Sequence, residues 1–127
     1  MHIRNESGVD LMRVAIIGSR HFSPLERVTE YVDGLPARAS IVTGGASGVD
    51  AVATKAARAR GLAVQVLPMS FEEVRDAALA EERRSKLVDS CDVLVAFWDG
   101  ESPGTRATVE RALDSGKEVH VFTSKMG

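Results

Sequence analysis

The chain has 127 residues, 44% apolar and 27% charged, which is ordinary soluble-globular usage and enough for one domain with its own core. Lysines and arginines number 16 against 18 acidic residues, so the net charge is −2, which disfavours indiscriminate binding to duplex nucleic acid but leaves room for a local basic patch. A single cysteine, Cys91, excludes an intramolecular disulfide and a cysteine-only zinc cluster, and His2, His21 and His120 lack metal-ligand spacing.

Residues 1–12 have no clear periodicity and no apolar signal-peptide core, so they read as a loose extension; Met12 is a second candidate start. Arg13-Val-Ala-Ile-Ile17 is a first strand, ending at Gly18. Ser23 as N-cap and Pro24 at the first helical position open a helix, with Leu25, Val28, Val32 and Leu35 forming its apolar stripe. Ser40-Ile-Val-Thr43 is a second strand, and residues 48–60 form an alanine-rich helix stopping at Gly61. Leu62–Leu67 is a third strand, broken by Pro68. Residues 71–90 are helical in propensity, with an interruption expected near Glu81-Glu82-Arg83-Arg84.

Cys91–Trp98 is the fourth strand, residues 104–115 a helix ended by Gly116, and Val119–Phe122 the last strand. The strands are nearly continuous apolar runs, as in a parallel sheet covered on both faces. The alternation predicts a single three-layer, doubly wound, Rossmann-like α/β domain over 13–127, with a mostly parallel sheet of about five strands. No apolar run approaches the roughly 18 residues of a membrane span, so the expected setting is the cytoplasm, with no membrane partner.

Ligands of such sheets bind beyond the carboxyl ends of the strands. Three strands here run into glycine-bearing turns. The first is Gly18-Ser19-Arg20, a sharp turn with a hydroxyl and a guanidinium suited to phosphate or carboxylate. The second is Thr43-Gly44-Gly45-Ala46-Ser47-Gly48-Val49-Asp50, whose amides and following helix N-terminus suit an anion. It is neither a Walker A loop nor G-x-G-x-x-G. Asp50 complements the helix dipole, or else hydrogen-bonds a ribose hydroxyl or holds the loop.

The third turn, Asp99-Gly100-Glu101-Ser102-Pro103-Gly104-Thr105-Arg106, again opens a helix. Trp98 either packs in the core or stacks on a base, with core packing favoured. Arg83, Arg84 and Lys86 read as a solvated helix face from which one arginine can reach a ligand. Cys91 reads as a small buried strand residue, without a histidine partner for nucleophilic chemistry. No metal site, cofactor motif or catalytic triad emerges.

Gly18-Ser19-Arg20, residues 44–50 and Ser102-Pro103-Gly104-Thr105 together resemble the SLOG superfamily, which unites the Smf/DprA DNA-processing proteins with LONELY GUY-type phosphoribohydrolases. The resemblance covers about residues 13–123 and is strongest to small stand-alone members of unknown function. It implies a Rossmann-like domain that binds a nucleotide or nucleotide-derived ligand. The implied ligand positions are Gly18, Ser19, Arg20, Gly44, Gly45, Ser47, Gly48, Asp50, Gly104 and Thr105. Arg83, Arg84, Trp98 and Glu101 are further candidates from the residues themselves.

The phosphoribohydrolases resemble P-G-G-x-G-T-x-x-E, with a catalytic Glu; here Thr108 stands at that place. Glu110 lies about 200° further around the helix. The leading expectation is therefore a sensor or ligand-binding module. The first alternative is N-glycosidic cleavage of a nucleoside 5′-monophosphate, with Asp50 or Glu101 as the carboxylate. The second is a DprA-like single-stranded DNA-binding module using Arg20, Arg83, Arg84 and Arg106. By analogy with relatives, a homodimer or higher homo-oligomer is expected.

Overall fold

The computed structural model describes residues 3–4, 10–68 and 75–124. Strand β1 is Ile3–Arg4 and β2 is Asp10–Gly18; they are followed by α1 (Glu26–Asp33), β3 (Ala39–Thr43), α2 (Val49–Ala59) and β4 (Val64–Val66). Then come α3 (Ala77–Asp89), β5 (Val93–Trp98), α4 (Pro103–Asp114) and β6 (Glu118–Thr123). The sheet order is β4-β3-β2-β5-β6, every neighbouring pair parallel, with β1 added antiparallel to the start of β2. The chain thus leaves β2 toward one edge and returns to the centre at β5, which makes the β2/β5 boundary the switch in strand order. That boundary is where a doubly wound sheet opens a crevice at its carboxyl edge.

Alternation along the strands divides the core in two. Val14, Ile16, Ile41, Val93, Val95 and Phe97 face one layer, where Val28 and Val32 of α1 and Val49, Ala53, Ala56 and Ala57 of α2 cover them. Ala15, Val42 and Leu94 face the other, beneath Leu87 and Val88 of α3 and Ala112 of α4. All of β5 except Trp98 is buried, which accounts for its unbroken apolar sequence. The alanines of α2 let it lie close to the sheet. At Gly18 a Cβ would run into the Val49 side chain, so that glycine is required for helix–strand approach.

Several element boundaries differ from expectation. Parts of the 1–12 segment carry strand structure, because Ile3 and Arg4 pair with Leu11 and Asp10. Backbone pairing needs no apolar rhythm, so periodicity gave no sign of it. Helix α1 starts at Glu26 with Leu25 at its N-cap and no side-chain cap bond, displacing Ser23 from that role. Leu25 accordingly falls outside the buried stripe, which keeps Val28, Val32 and Leu35. Strand β4 is only three residues long and lies at the sheet edge.

Helix α3 runs without interruption through Glu81–Arg84, where Arg84 Nη1 donates to Glu81 Oε2 at 2.6 Å across one turn. Opposite charges one turn apart stabilise a helix face rather than break it. The first part of the expected 71–90 helix lies outside the described residues. Cys91 is buried just before β5, and burial pushes its thiol up to about 11, away from nucleophilic use.

The end of the sheet is sealed on the α1 side by aromatic contacts. Phe97 stacks on Phe122 at 5.2 Å and meets Phe22 and Tyr31 edge-on at 5.3 and 6.0 Å. Arg27 lies over the Phe22 and Phe122 rings and donates to the Thr123 carbonyl at 2.6 Å, tying β6 to α1. No helix among the described residues is long and apolar enough to cross a membrane.

Candidate functional site

The three glycine-bearing turns converge on one cleft of about 580 Å³ at the carboxyl edge of the sheet. Its walls are the β2 end and first turn, the second loop ahead of α2, the start of α4, and one face of α3. Two helices of more than two turns, α2 and α4, begin at this cleft, so both positive dipole ends favour an anion there.

A buried hydroxyl pair joins the first and third turns. The Asp99 N–H donates to Ser19 Oγ at 3.0 Å, and Ser19 Oγ donates to Thr105 Oγ1 at 3.4 Å. Ser19 and Thr105 are both buried, so their hydroxyls bind the turns to each other across the β2/β5 boundary. Asp99 organises the rest of the third turn: its carboxylate accepts from the Glu101 and Ser102 amides at 2.9 and 2.8 Å and from the Ser102 hydroxyl at 3.0 Å. These bonds, led by the Glu101 amide, hold its pKa down to about 2.

The second loop is held by a different aspartate. Asp50, in the first turn of α2, reaches back so that Oδ2 accepts from the Ala46 amide at 3.1 Å. It is 8% exposed, and burial raises its pKa; the Ala46 amide, Thr43, Arg83 and the Gly44 amide oppose that shift without cancelling it. Among the described residues Thr43 Oγ1 has no partner in hydrogen-bond geometry, yet it lies close enough to Asp50 to favour the charged carboxylate. Across the loop, Arg83 Nη2 donates to the Leu67 carbonyl at 2.7 Å and the Gly44 carbonyl at 3.4 Å. Gly44 sits between these two charges: a Cβ there would strike the Arg83 guanidinium and approach Asp50 Oδ2 at 3.0 Å. Gly45 and Gly48 have φ of 78° and 79°, which reserves both positions for glycine.

Eleven of the sequence candidates line the cleft: Gly18, Ser19, Arg20, Gly44, Gly45, Ser47, Asp50, Gly104 and Thr105, joined by the α3 arginines Arg83 and Arg84. Their roles differ. Arg20 is exposed at the rim, Arg83 is occupied by backbone carbonyls, and Arg84 is held by Glu81. Gly48, Trp98 and Glu101 are not among the lining residues. Gly48 is the α2 N-cap, Trp98 donates its indole N–H to the Ser102 carbonyl at 3.1 Å, and Glu101 is exposed with its amide on Asp99.

Sequence reasoning passed over Ala80 and Leu87 as cleft residues. With Arg83 and Arg84 they form an 80/83/84/87 stripe, a helical spacing that could have placed this face of α3. Thr108 lines the cleft one turn beyond Thr105, but its hydroxyl donates to the Gly104 carbonyl at 3.0 Å. That bond leaves it a packing residue rather than a replacement acid or base. Asp50 is the one acidic side chain lining the cleft among the described residues, and it is engaged in holding the loop. Among the described residues the cleft thus sets two helix N-termini and three arginines around one buried, loop-bound carboxylate.

Residues 12–73 match the model of a family described as "YAcAr: YspA, cpYpsA-related SLOG family". No curated protein matches the chain. Among solved structures, the chain is similar to DNA processing protein A (DprA) from Streptococcus pneumoniae, with a TM-score of 0.74 and 20% identity over 91% of this chain. The match covers 52% of the DprA chain, so this protein spans about half of it, and at that identity the likeness is one of fold. The family match contains the first turn and the Gly44–Asp50 loop and supports the SLOG resemblance of those residues, while the fold match extends across the sheet.

Proposed function

We propose that this protein is a binding module for a nucleotide or nucleotide-derived molecule. The observation that carries the reading is the convergence of three glycine-bearing turns, two helix N-termini and three arginines on a single cleft at the strand-order switch. Two parts of the cleft differ in what they suit. The amides of the second loop already serve Asp50, so the loop's own anion is built in, and this wall suits neutral hydroxyls. At the start of α4 the Asp99 carboxylate is committed to the Glu101 and Ser102 amides, so Gly104 and Thr105, which share the cleft lining with Arg20 and Arg84, suit the ligand's phosphate. A nucleotide lying between the two walls satisfies both.

Binding without turnover is favoured because Thr108 is bonded to its own helix and Asp50 to its own loop. A second reading, recognition of single-stranded DNA, is supported by the fold likeness to a protein described as a DNA processing protein. A thermal-shift panel separates the readings: AMP, GMP, ADP-ribose, NAD, cyclic nucleotides, nucleoside triphosphates and oligo-dT at fixed salt. A ligand at 100 times its Kd adds about 2.7 kcal/mol, or several degrees for a domain of this size. Selective stabilisation by a small nucleotide, with no free base released, is the expected result. A shift with oligo-dT alone replaces the proposal with the DNA reading, and no shift with any nucleotide overturns it.

A further inference from the structure

The helices are anchored to the molecule in different ways. Helices α1, α2 and α4 bury side chains along their length. Helix α3 buries Leu87 and Val88 alone, both in its last turn, where they join the core layer of Ala15, Leu94 and Ala112. None of residues 77–86 is buried; Ala80, Arg83, Arg84 and Ser85 are half-buried and the rest exposed. Ala80, Arg83 and Arg84 nevertheless line the cleft. This part of α3 therefore stands over a space rather than over packed side chains.

The ties that hold it, among the described residues, are polar. Toward β3 and β4, Arg83 Nη2 donates to the Leu67 and Gly44 carbonyls at 2.7 and 3.4 Å. Toward α4, Arg111 Nη1 donates to Glu81 Oε1 at 2.8 Å and Arg111 Nη2 to Ser85 Oγ at 2.8 Å. The Glu81 and Arg111 side chains are 48% and 42% exposed, so water replaces this tie at little cost.

We infer that residues 77–86 of α3 are a gate over the cleft, which opens by local unfolding back to the Leu87 and Val88 anchor and closes as Arg83 and Arg111 regain their partners. Segments that bury little apolar surface open at lower free energy than the whole domain. A helical piece of about ten residues is marginal by itself in water, so it does not persist as a helix once its ties are broken. It re-forms readily. Ala, Leu, Glu and Arg are strong helix formers, and Asp76 caps the start by accepting from the Ala78 and Leu79 amides at 2.8 and 3.1 Å. Opening uncovers the α4 wall, where Thr108 lines the cleft and is 8% exposed. The gate does not depend on which ligand the cleft takes.

The test is hydrogen exchange by mass spectrometry on the full chain, in the wild type, Arg111→Ala and Arg106→Ala. Arg106 is the control, because it pairs with Glu110 within α4. In the wild type the amides of residues 81–86 are expected to exchange about tenfold or more faster than those of residues 53–59 in α2. Arg111→Ala is expected to speed residues 81–86 by roughly two- to fivefold, the worth of one exposed ion pair, and to leave residues 53–59 unchanged. Arg106→Ala is expected to change neither. A Thr108→Cys thiol is expected to react with N-ethylmaleimide faster by the same factor when Arg111→Ala is added, with buried Cys91 of the wild type as the slow background. Equal protection of the two helices in the wild type overturns the inference, as does a rise in Arg111→Ala that both helices share. Labelling of Thr108→Cys that is indifferent to Arg111 also overturns it, since the segment then opens without gating the cleft. If circular dichroism shows that Thr108→Cys does not fold, the exchange comparison decides. Failure of every nucleotide to bind overturns the proposed function and leaves this result standing.

Discussion

The second loop and the third turn are built on the same plan and end in opposite electrostatic states. Each follows a parallel strand, carries glycines, opens a helix at the cleft and uses an aspartate to collect backbone amides. Asp50 does so from the buried side, where desolvation raises its pKa against the amides that lower it. Asp99 does so at a half-buried position, where its amide bonds outweigh the smaller effect of burial and its pKa falls to about 2. The device is the same hydrogen-bonded carboxylate, and solvent access decides the sign of the shift. The difference also separates their positions: the Asp50 carboxylate is buried against its own loop, whereas Asp99 is half-buried and serves the amides just ahead of α4.

The largest effect should come from removing the clamp on the closed loop. Arg83→Ala deletes charged hydrogen bonds to two carbonyls and is expected to cost about 1.5–3 kcal/mol, read as a lower urea midpoint. An unchanged midpoint would mean that the loop is held by Asp50 alone.

The paired glycine substitutions sharpen the contrast. Gly44→Ala places a methyl against Arg83 and Asp50 and should destabilise by about 1–3 kcal/mol. Gly104→Ala meets nothing within 4 Å and lies in the first turn of α4, so it should be neutral or stabilising by up to about 1 kcal/mol. Equal thermal-denaturation shifts for the two would erase the distinction between a closed loop and an open turn.

The smallest effects are those of pH, and their signs are opposite. Asp50 has a folded pKa above its unfolded value, so the native state holds the extra proton between the two and stability falls as pH rises through that window. Asp50→Asn removes this slope, so the variant should compare better with the wild type at pH 7 than at pH 4. Asp99 has a depressed pKa, so its contribution is present above about pH 4 and fades as pH falls toward about 2. Asp99→Asn should therefore lie below the wild type at neutral pH and converge with it in acid. Solvent screening keeps the Asp99 effect small. Matching slopes for the two variants in denaturation series would contradict the assigned burial.

Much of this was legible along the chain. The apolar runs at residues 13–17, 40–43 and 91–98 marked buried parallel strands, because a strand covered on both faces has no polar side to alternate with. The glycine-bearing turns that follow them pointed to the carboxyl edge, where they line one cleft. Other features had no local signature. The beginning of α1 moved past Ser23-Pro24, although both are favoured start residues, and the charged Glu81–Arg84 run continued the helix through an ion pair across one turn. Trp98 and Glu101, adjacent to the third turn in sequence, were not among the cleft residues, whereas Thr108 and Leu87 were.

The layers, the strand-and-helix rhythm and the placing of glycine at the turns follow from local sequence, because they depend on side-chain hydrophobicity and on backbone freedom within a few neighbouring residues. How the polar groups divide their bonds is set by long-range packing. Ser19 and Thr105 lie 86 residues apart and Arg83 and Gly44 lie 39 apart, yet each pair is joined by a hydrogen bond. Whether an arginine is a clamp or a ligand reader, and whether an aspartate's pKa rises or falls, depends on which partners and how much water the fold brings to it. Those quantities arise from packing across the sheet's central switch, and no spacing along the chain contains them.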